Sequence, residues 1–290
     1  MARPSKAGVP TVSDARQRTP LIRDKQALKS AIGLLAGGFL LGLLPQRGLA
    51  TAGGMARTLL PVDWKAWAKI VIGIMSVTRL NRAFDYEPKP WVNGIQAVTV
   101  ITALTAQNTM GVTGVHEAPA KFVTAQLDAV FSDLDVAAVK IGMLGSADVI
   151  EAVAAGLEKW RPRSVVLDPV MVAKGGDRLL HDDAVVALRE RLIPLSHLIT
   201  PNLPEAGELL DEPSAGDREA MAAQAERLLR LGPGAVLLKG GHLGGDTSPD
   251  LLHDGRAVIW LEAARHATRN TRGTGCSLSS AIAAYLALGR

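Results

Sequence analysis

The chain has 290 residues, 48% of them hydrophobic, which is enough to bury the core of one large α/β domain or of a domain with an extension, and which excludes a disordered protein. Its single cysteine, Cys276, excludes an intrachain disulfide framework and a cysteine-cluster metal site, and fits a reducing, cytoplasmic compartment. The net charge of +4 is uneven: residues 1–93 carry 14 Lys and Arg against 5 Asp and Glu and the remainder 18 against 23, so no basic field that would attract nucleic acid covers the rest.

Residues 1–93 read unlike the rest of the chain. Thirty polar, basic residues lead into the uncharged run Ala31–Leu44, and then into small residues around Ala50-Thr51-Ala52. That order is similar to a secretory signal, although the basic lead is long for one; the run is also short for a bilayer span. A buried or amphipathic helix is the other reading, and no membrane partner is expected.

From Gly94 onward, apolar β-rich runs alternate with helical patterns. Strands are expected at Val98–Leu104, Val136–Ile141, Ser164–Leu167, His197–Ile199 and Ala235–Leu238. Helices are expected at Pro119–Ser132, Asp148–Trp160, Asp182–Leu192, Leu203–Leu210, Asp217–Leu231 and Ser277–Leu288. Near-continuous apolar strands separated by helices predict a doubly wound α/β fold with a mostly parallel sheet. Leu251–Trp260, with Asp254-Gly255 between two apolar runs, predicts a hairpin.

In such a sheet ligands bind where the strands end. The segments there are Thr105–Thr109, Gly142–Gly145, Asp168–Met171, Thr200–Glu205 and Lys239–His242, all small or polar. Near the C-terminus, Asn270-Thr271-Arg272-Gly273-Thr274-Gly275-Cys276 runs into an apolar helical segment. Two glycines permit a tight turn and a close backbone approach, and the first N–H groups of a helix point outward with the positive end of its dipole. A phosphate is the natural occupant; an ordinary glycine turn before a core helix is the plainer reading.

These parts suit phosphoryl transfer, which relies on positioning and charge neutralisation. Lys239 can serve as a point charge on a nucleotide phosphate, Asp168 and Glu205 can hold Mg²⁺ through its waters, and Asn202 can donate to a phosphate or hold a metal-bound water. Taken singly, each has a plainer role: a turn at Asp168-Pro169, a first-turn acid at Glu205, a solvated charge at Lys239. Cys276 either packs, or loses its proton in the amide field of the helix start and accepts one from a substrate hydroxyl. The amide of Gln107 matches the donor–acceptor edge of an aminopyrimidine, and Met143 offers an apolar wall; a loop amide and a core methionine are the alternatives. His116 and His242 read as loop histidines.

The phrases TALTAQNT (102–109), VKIGMLG (139–145), LDPVMVAKGGDRLL (167–180), TPNLPEA (200–206), LLKGGH (237–242) and NTRGTGCSLSSAIAA (270–284) resemble the bacterial hydroxymethylpyrimidine/phosphomethylpyrimidine kinases of thiamine biosynthesis, over essentially Gly94–Arg290. The resemblance implies a ribokinase-like fold and ATP and Mg²⁺ as cofactors. It implies successive phosphorylation of a hydroxymethylpyrimidine and its monophosphate, with pyridoxal kinase activity as the alternative, and a homodimer. It places Gln107 on the pyrimidine, Gly273, Thr274, Gly275 and Cys276 around the transferring phosphoryl group with Cys276 as base, Lys239 on nucleotide phosphates, and Asp168, Asn202 and Glu205 on metal and phosphates.

The family's first strand and glycine-rich loop are not recognisable before Gly94, where only Lys69–Met75 passes for a strand, and the family pattern continues beyond Arg290. Residues 1–93 therefore read as a frame-shifted or unrelated segment joined to a kinase domain at 94–290. Such a chain is expected to show little kinase activity, and a non-catalytic remnant is the further alternative.

Overall fold

The computed structural model describes residues 71–74, 97–107, 111–171, 180, 182–266 and 273–289. Ten strands and six α-helices lie among them. In chain order these begin with β1 (Val71–Ile74), β2 (Ala97–Thr99), β3 (Ala103–Gln107), β4 (Val112–Glu117), α1 (Ala120–Asp133) and β5 (Ala138–Ile141). Next come α2 (Ala147–Trp160), β6 (Val165–Leu167), α3 (Asp182–Ala187), β7 (Leu198–Ile199), α4 (Leu203–Leu210) and α5 (Arg218–Arg230). The last are β8 (Val236–Leu238), β9 (Thr247–His253), β10 (Val258–Ala264) and α6 (Thr274–Ala287).

The main sheet has eight strands in the order β10-β9-β8-β7-β6-β5-β1-β2, parallel from β8 to β2 and closed at the other edge by the antiparallel pair β9 and β10. The doubly wound α/β expectation holds, and so does the hairpin around Asp254-Gly255. Within Lys69–Met75 the structure contains β1, paired in parallel with β2 on one side and β5 on the other, so β5 is an interior strand. The run Ala31–Leu44 lies outside the described residues.

Side chains alternate across the sheet because successive Cβ atoms point to opposite faces. Val139, Ile141, Val165, Leu167, Ile199, Val236 and Leu238 pack with Leu127, Ile150, Leu203, Ala206 and Leu228, the inner faces of α1, α2, α4 and α5. Ala138, Val166, Leu198, Ala235 and Leu237 face the other way and meet Ile282, Ala283 and Ala287 of α6. Truncating Ile282 to alanine would remove contacts from this second layer, at a typical cost of about 2–5 kcal/mol. Lys140 falls between Val139 and Ile141 and is 1% exposed.

Two segments depart from the expected elements. The run Val98–Leu104 is not one strand: β2 ends at Thr99, and Ala103 begins a separate two-stranded sheet in which β3 pairs antiparallel with β4. Thr102 secures the break, being buried and donating from Oγ1 to Met143 O at 3.0 Å. The helix expected at Asp182–Leu192 is α-helical only to Ala187, passes through a π-helical turn at Leu188–Leu192, and ends in a 3₁₀ turn containing Pro194. Proline cannot continue the i→i−4 ladder, which accounts for the stop.

Candidate active site

Four of the parallel strands each deliver one functional side chain at or near the C-terminal end. Asp168 follows β6, Thr200 follows β7, Lys239 follows β8, and Lys140 lies one residue before the end of β5. Asn202 and Lys239 form a bridge that extends the pairing of β7 and β8, which places both on one rim. The start of α6 comes to the same place: a Cβ added at Gly275 would stand 3.0 Å from Lys239 Nζ and 3.9 Å from Asp168 Oδ2. Only glycine permits that approach without displacing the lysine. Gly273, the N-cap of α6, has φ +75°, the left-handed region that glycine enters freely.

Asp168 is the hub and is 1% exposed. Its Oδ1 accepts from Lys239 Nζ at 2.9 Å and from Thr200 Oγ1 at 3.2 Å. Its Oδ2 accepts from Ser279 Oγ at 3.3 Å and lies 4.0 Å from Lys140 Nζ. Burial opposes ionisation, but the two ammonium groups outweigh it and hold the carboxyl below its usual range. Lys239, also 4.0 Å from Glu205 Oε2, loses by burial but gains more from Asp168 and Glu205, so its ammonium form is favoured.

Asn202 and Glu205 hold the start of α4 as a reciprocal cap: Glu205 N–H donates to Asn202 Oδ1 at 2.9 Å, and Asn202 N–H donates to Glu205 Oε2 at 2.7 Å. The plainer reading of Glu205 as a first-turn acid is therefore realised alongside its place next to Lys239. Burial pushes the Glu205 carboxyl up to about 7, with Asp168 adding to the rise and Lys239 opposing it. Near neutral pH the cluster thus holds two ammonium groups against one full carboxylate and one partly protonated carboxyl. The excess is positive and suits an anion.

The structure brings together Lys239, Asp168, Asn202, Glu205, Gly275 and Cys276. Gly273 and Thr274 open α6 and are exposed. Met143 is buried past the end of β5, where its carbonyl receives the Thr102 hydroxyl. Gln107 is the last residue of β3, exposed, in the two-stranded sheet rather than on the rim of the main sheet. Asn108, Thr109 and Asn270–Arg272 lie outside the described residues.

One expectation needs correction. The expectation that the Cys276 thiol loses its proton readily at the helix start fails: burial pushes it up, and the Asp168 carboxylate accepting from it adds to the rise, against Lys140 and Lys239. Asp168 and Glu205 already carry protein partners. Ammonium and hydroxyl groups occupy both oxygens of Asp168, Asn202 N–H occupies Oε2 of Glu205, and no three His, Cys, Asp or Glu converge among the described residues. Sequence reading missed Lys140, Thr200 and Ser279. A lysine inside the apolar run Val136–Ile141 was the available signal for Lys140, because such a charge is buried only with a partner.

A mostly parallel, doubly wound sheet with a cationic anion site between its strand ends and a glycine-led helix defines an α/β kinase of the ribokinase type. The chain belongs to the phosphomethylpyrimidine kinase family, whose model matches residues 92–290. It is 55% identical over 196 residues to the hydroxymethylpyrimidine/phosphomethylpyrimidine kinase of Rhizobium meliloti strain 1021, covering 68% of this chain and 73% of that one. Among solved structures it is similar to the phosphomethylpyrimidine kinase of Clostridium difficile 630, with TM-score 0.62, 35% identity, and coverage of 77% of this chain and 91% of that one. An ADP complex of Bacillus subtilis pyridoxal kinase superposes with TM-score 0.63 and 33% identity over 68% of this chain and 75% of that one.

Proposed function

We propose that the protein transfers the γ-phosphoryl group of ATP to the hydroxymethyl oxygen of 4-amino-5-hydroxymethyl-2-methylpyrimidine, and then a second phosphoryl group to the monophosphate, in thiamine biosynthesis. The observation that carries this reading is the approach of Gly275 to Lys239 and Asp168, at the start of α6, in a chain of this family. The substrate oxygen bonds to phosphorus as the bond to the ADP oxygen breaks, and the hydroxyl proton is released. In a loose transition state charge gathers on the phosphoryl oxygens, so donors and cations do most of the work.

Lys239 supplies the point charge for nucleotide phosphates. Asn202 spends its side-chain oxygen on the helix cap, which leaves its amide hydrogens for a phosphate. The N–H groups of Gly273, Thr274, Gly275 and Cys276 line the cradle, and their donation needs no titration. Cys276, its thiol favoured in the neutral form, acts as base only in the minor fraction that has already released its own proton to solvent, and that thiolate takes the substrate hydroxyl proton as bonding to phosphorus acidifies it. Gln107 reads the pyrimidine edge and Met143 backs the ring. Mg²⁺ accompanying the nucleotide would be held near Asp168 and Glu205 through its waters and would neutralise phosphate charge there, and the enzyme works as a homodimer in the cytoplasm.

The test is ATP-dependent formation of the pyrimidine monophosphate and diphosphate by the full chain, beside pyridoxal as the competing alcohol. Faster turnover of pyridoxal would favour the second reading, which the likeness to B. subtilis pyridoxal kinase supports. ADP binding without turnover of either alcohol would leave a non-catalytic member of the family.

A further inference from the structure

Residues 240–247, the loop immediately after Lys239 together with the first residue of β9, include Gly240, Gly241, Gly244 and Gly245, the last with φ +93°. Glycine loses more backbone freedom on folding than any other residue, so a segment of this composition has little order of its own. Its carbonyls nevertheless turn onto one side chain. Arg265, the first residue past β10, donates from Nε to Gly245 O at 2.9 Å and from Nη1 to Gly241 O at 2.9 Å. Its Nη2 donates to Thr247 O at 3.2 Å and to Leu243 O. Its backbone N–H donates to Asp246 O at 2.8 Å.

All four side-chain acceptors are neutral carbonyls. A guanidinium has five donors in a fixed plane and can gather carbonyls from four different residues, whereas an ammonium is a compact charge with three. The loop is also tied at its root. Gly240 N–H donates to Asp250 Oδ1 at 2.9 Å, and a Cβ at Gly240 would run into the Pro249 carbonyl. Immediately before that root stands Lys239, whose N–H donates to Pro201 O at 2.9 Å and whose ammonium reaches Asp168. The arginine thus shapes the segment leading away from the cation at the centre of the site, although it is itself exposed and distant in sequence.

We propose that Arg265 is a positioning residue for the nucleotide half of the site. By gathering the four carbonyls it holds residues 240–247 in one shape, so that Lys239 and the backbone of Gly240 and Gly241 meet the polyphosphate together. The inference rests on the reading of Lys239 as a contact to nucleotide phosphates. It assigns Arg265 no contact with substrate and no part in the chemical step.

The experiment compares the full chain with Arg265→Lys, which keeps the charge and loses the planar fork, and with Arg265→Ala. Amide hydrogen exchange over residues 241–247 is expected to accelerate in both variants while exchange in β5–β8 stays unchanged. The KM for ATP is expected to rise about tenfold, as for the loss of one net charge-assisted interaction, with kcat and the KM for the alcohol within about twofold. Millimolar guanidinium is expected to restore part of the ATP KM in Arg265→Ala and none in Arg265→Lys. Unchanged exchange in the loop would overturn the clamp. Faster exchange with an unchanged ATP KM, or an equal rise in both KM values, would overturn the positioning role. If the parent chain turns over neither alcohol, the functional reading fails on its own, and ADP affinity by calorimetry decides this one: equal affinity in parent and Arg265→Lys overturns it, and weaker affinity with faster loop exchange supports it.

Discussion

Asp168 and Lys239 are joined by a 2.9 Å hydrogen bond across 71 positions of sequence, at the ends of two strands separated in the sheet by β7. Lys140 approaches the opposite oxygen of the same carboxylate from β5. One buried anion is therefore held between two cations, and an incoming phosphate meets a site in which the lysines already have a partner. Coulomb attraction over such distances in the interior is strong, but desolvation offsets much of it, so the value of the arrangement lies in what happens when one member is removed.

Asp168→Asn keeps the shape and removes the charge, leaving two buried ammonium groups without it. The expected loss is about 3–5 kcal/mol, read as a lower urea midpoint. Lys140→Met, which leaves Asp168 paired with Lys239, should cost less, and a double-mutant cycle of positions 140 and 168 should return a coupling energy above that of exposed pairs. An Asp168→Asn protein with the parent midpoint would show that the hub contributes nothing to stability.

Glu205 gives a pH dependence with a defined sign. Its carboxyl rises from an ordinary 4.5 to about 7 in the folded protein, chiefly through burial. The folded state therefore binds a proton more tightly than the unfolded chain. The associated stability is fully present below about pH 4.5 and is lost as pH rises through about 7, an effect of roughly 3 kcal/mol. Glu205→Gln, which can still accept from Asn202 N–H, should lack this component. The difference between the two unfolding free energies, measured from pH 4.5 to 8, should slope accordingly; a flat difference would refute the shift. Asp250, pushed up to about 6 by burial, titrates in both proteins and cancels from the comparison.

Cys276 is expected to alkylate more slowly than a free thiol at neutral pH, because burial and Asp168 favour its protonated form. Cys276→Ala should lower turnover by about 10²-fold, at the modest end of acid–base effects, with ADP affinity nearly unchanged because the backbone donors remain. Rapid alkylation at pH 6 would refute the upward shift, and full turnover by the alanine variant would remove Cys276 from the chemistry.

Gln107→Leu should weaken pyrimidine binding by about 1–3 kcal/mol, the cost of leaving a buried polar edge unpaired, with little change for ADP. Equal weakening of both ligands by calorimetry would reject a role in reading the pyrimidine. Because Gln107 sits on the small sheet, retained loss in a protein of unchanged Tm would place that sheet over the substrate.

Ile72→Pro tests β1. Ile72 pairs with Val98 of β2 and Val139 of β5, so the strand is interior, where proline removes a ladder donor and is not accommodated. A loss of about 3 kcal/mol or more is expected. A parent-like unfolding curve would mean that β5 does not depend on residues 71–74 for its neighbour.

The rim of the sheet was legible because parallel strands bury both faces and so read as continuous apolar runs; the first small or polar residues after each run then mark a strand end. That logic located Asp168, Asn202, Glu205 and Lys239. It failed at Val98–Leu104, where apolar content is continuous but Thr102 turns inward to bond Met143 O, dividing the run between two sheets. It gave no warning of β4, whose Val112–Glu117 stretch is largely exposed and lacks an apolar face. Lys140 was hidden within a strand, since alternation alone does not say which face holds a partner for a charge. Cys276 misleads for a different reason: the helix dipole is legible in the sequence, and the cost of burying a thiolate beside a carboxylate is not.

The hydrogen bond from Ser279 to Asp168 spans 111 positions, and Gly275, which closes on Lys239, lies on the same helix. During synthesis the chain emerges from the ribosome in sequence order, so β5 to β8 can pair while α6 is still being made. Until that helix docks, Asp168 lacks the Ser279 hydroxyl and keeps only that of Thr200, and Gly275 does not close on Lys239. Contacts of such long range also form late in folding, after the cost of closing large loops has been met. On the proposed reading, a nascent or half-folded molecule holds the strand-end lysine but not the helix-borne half of the phosphate site, and the site is completed only by the docking of one helix made after the strands it closes on.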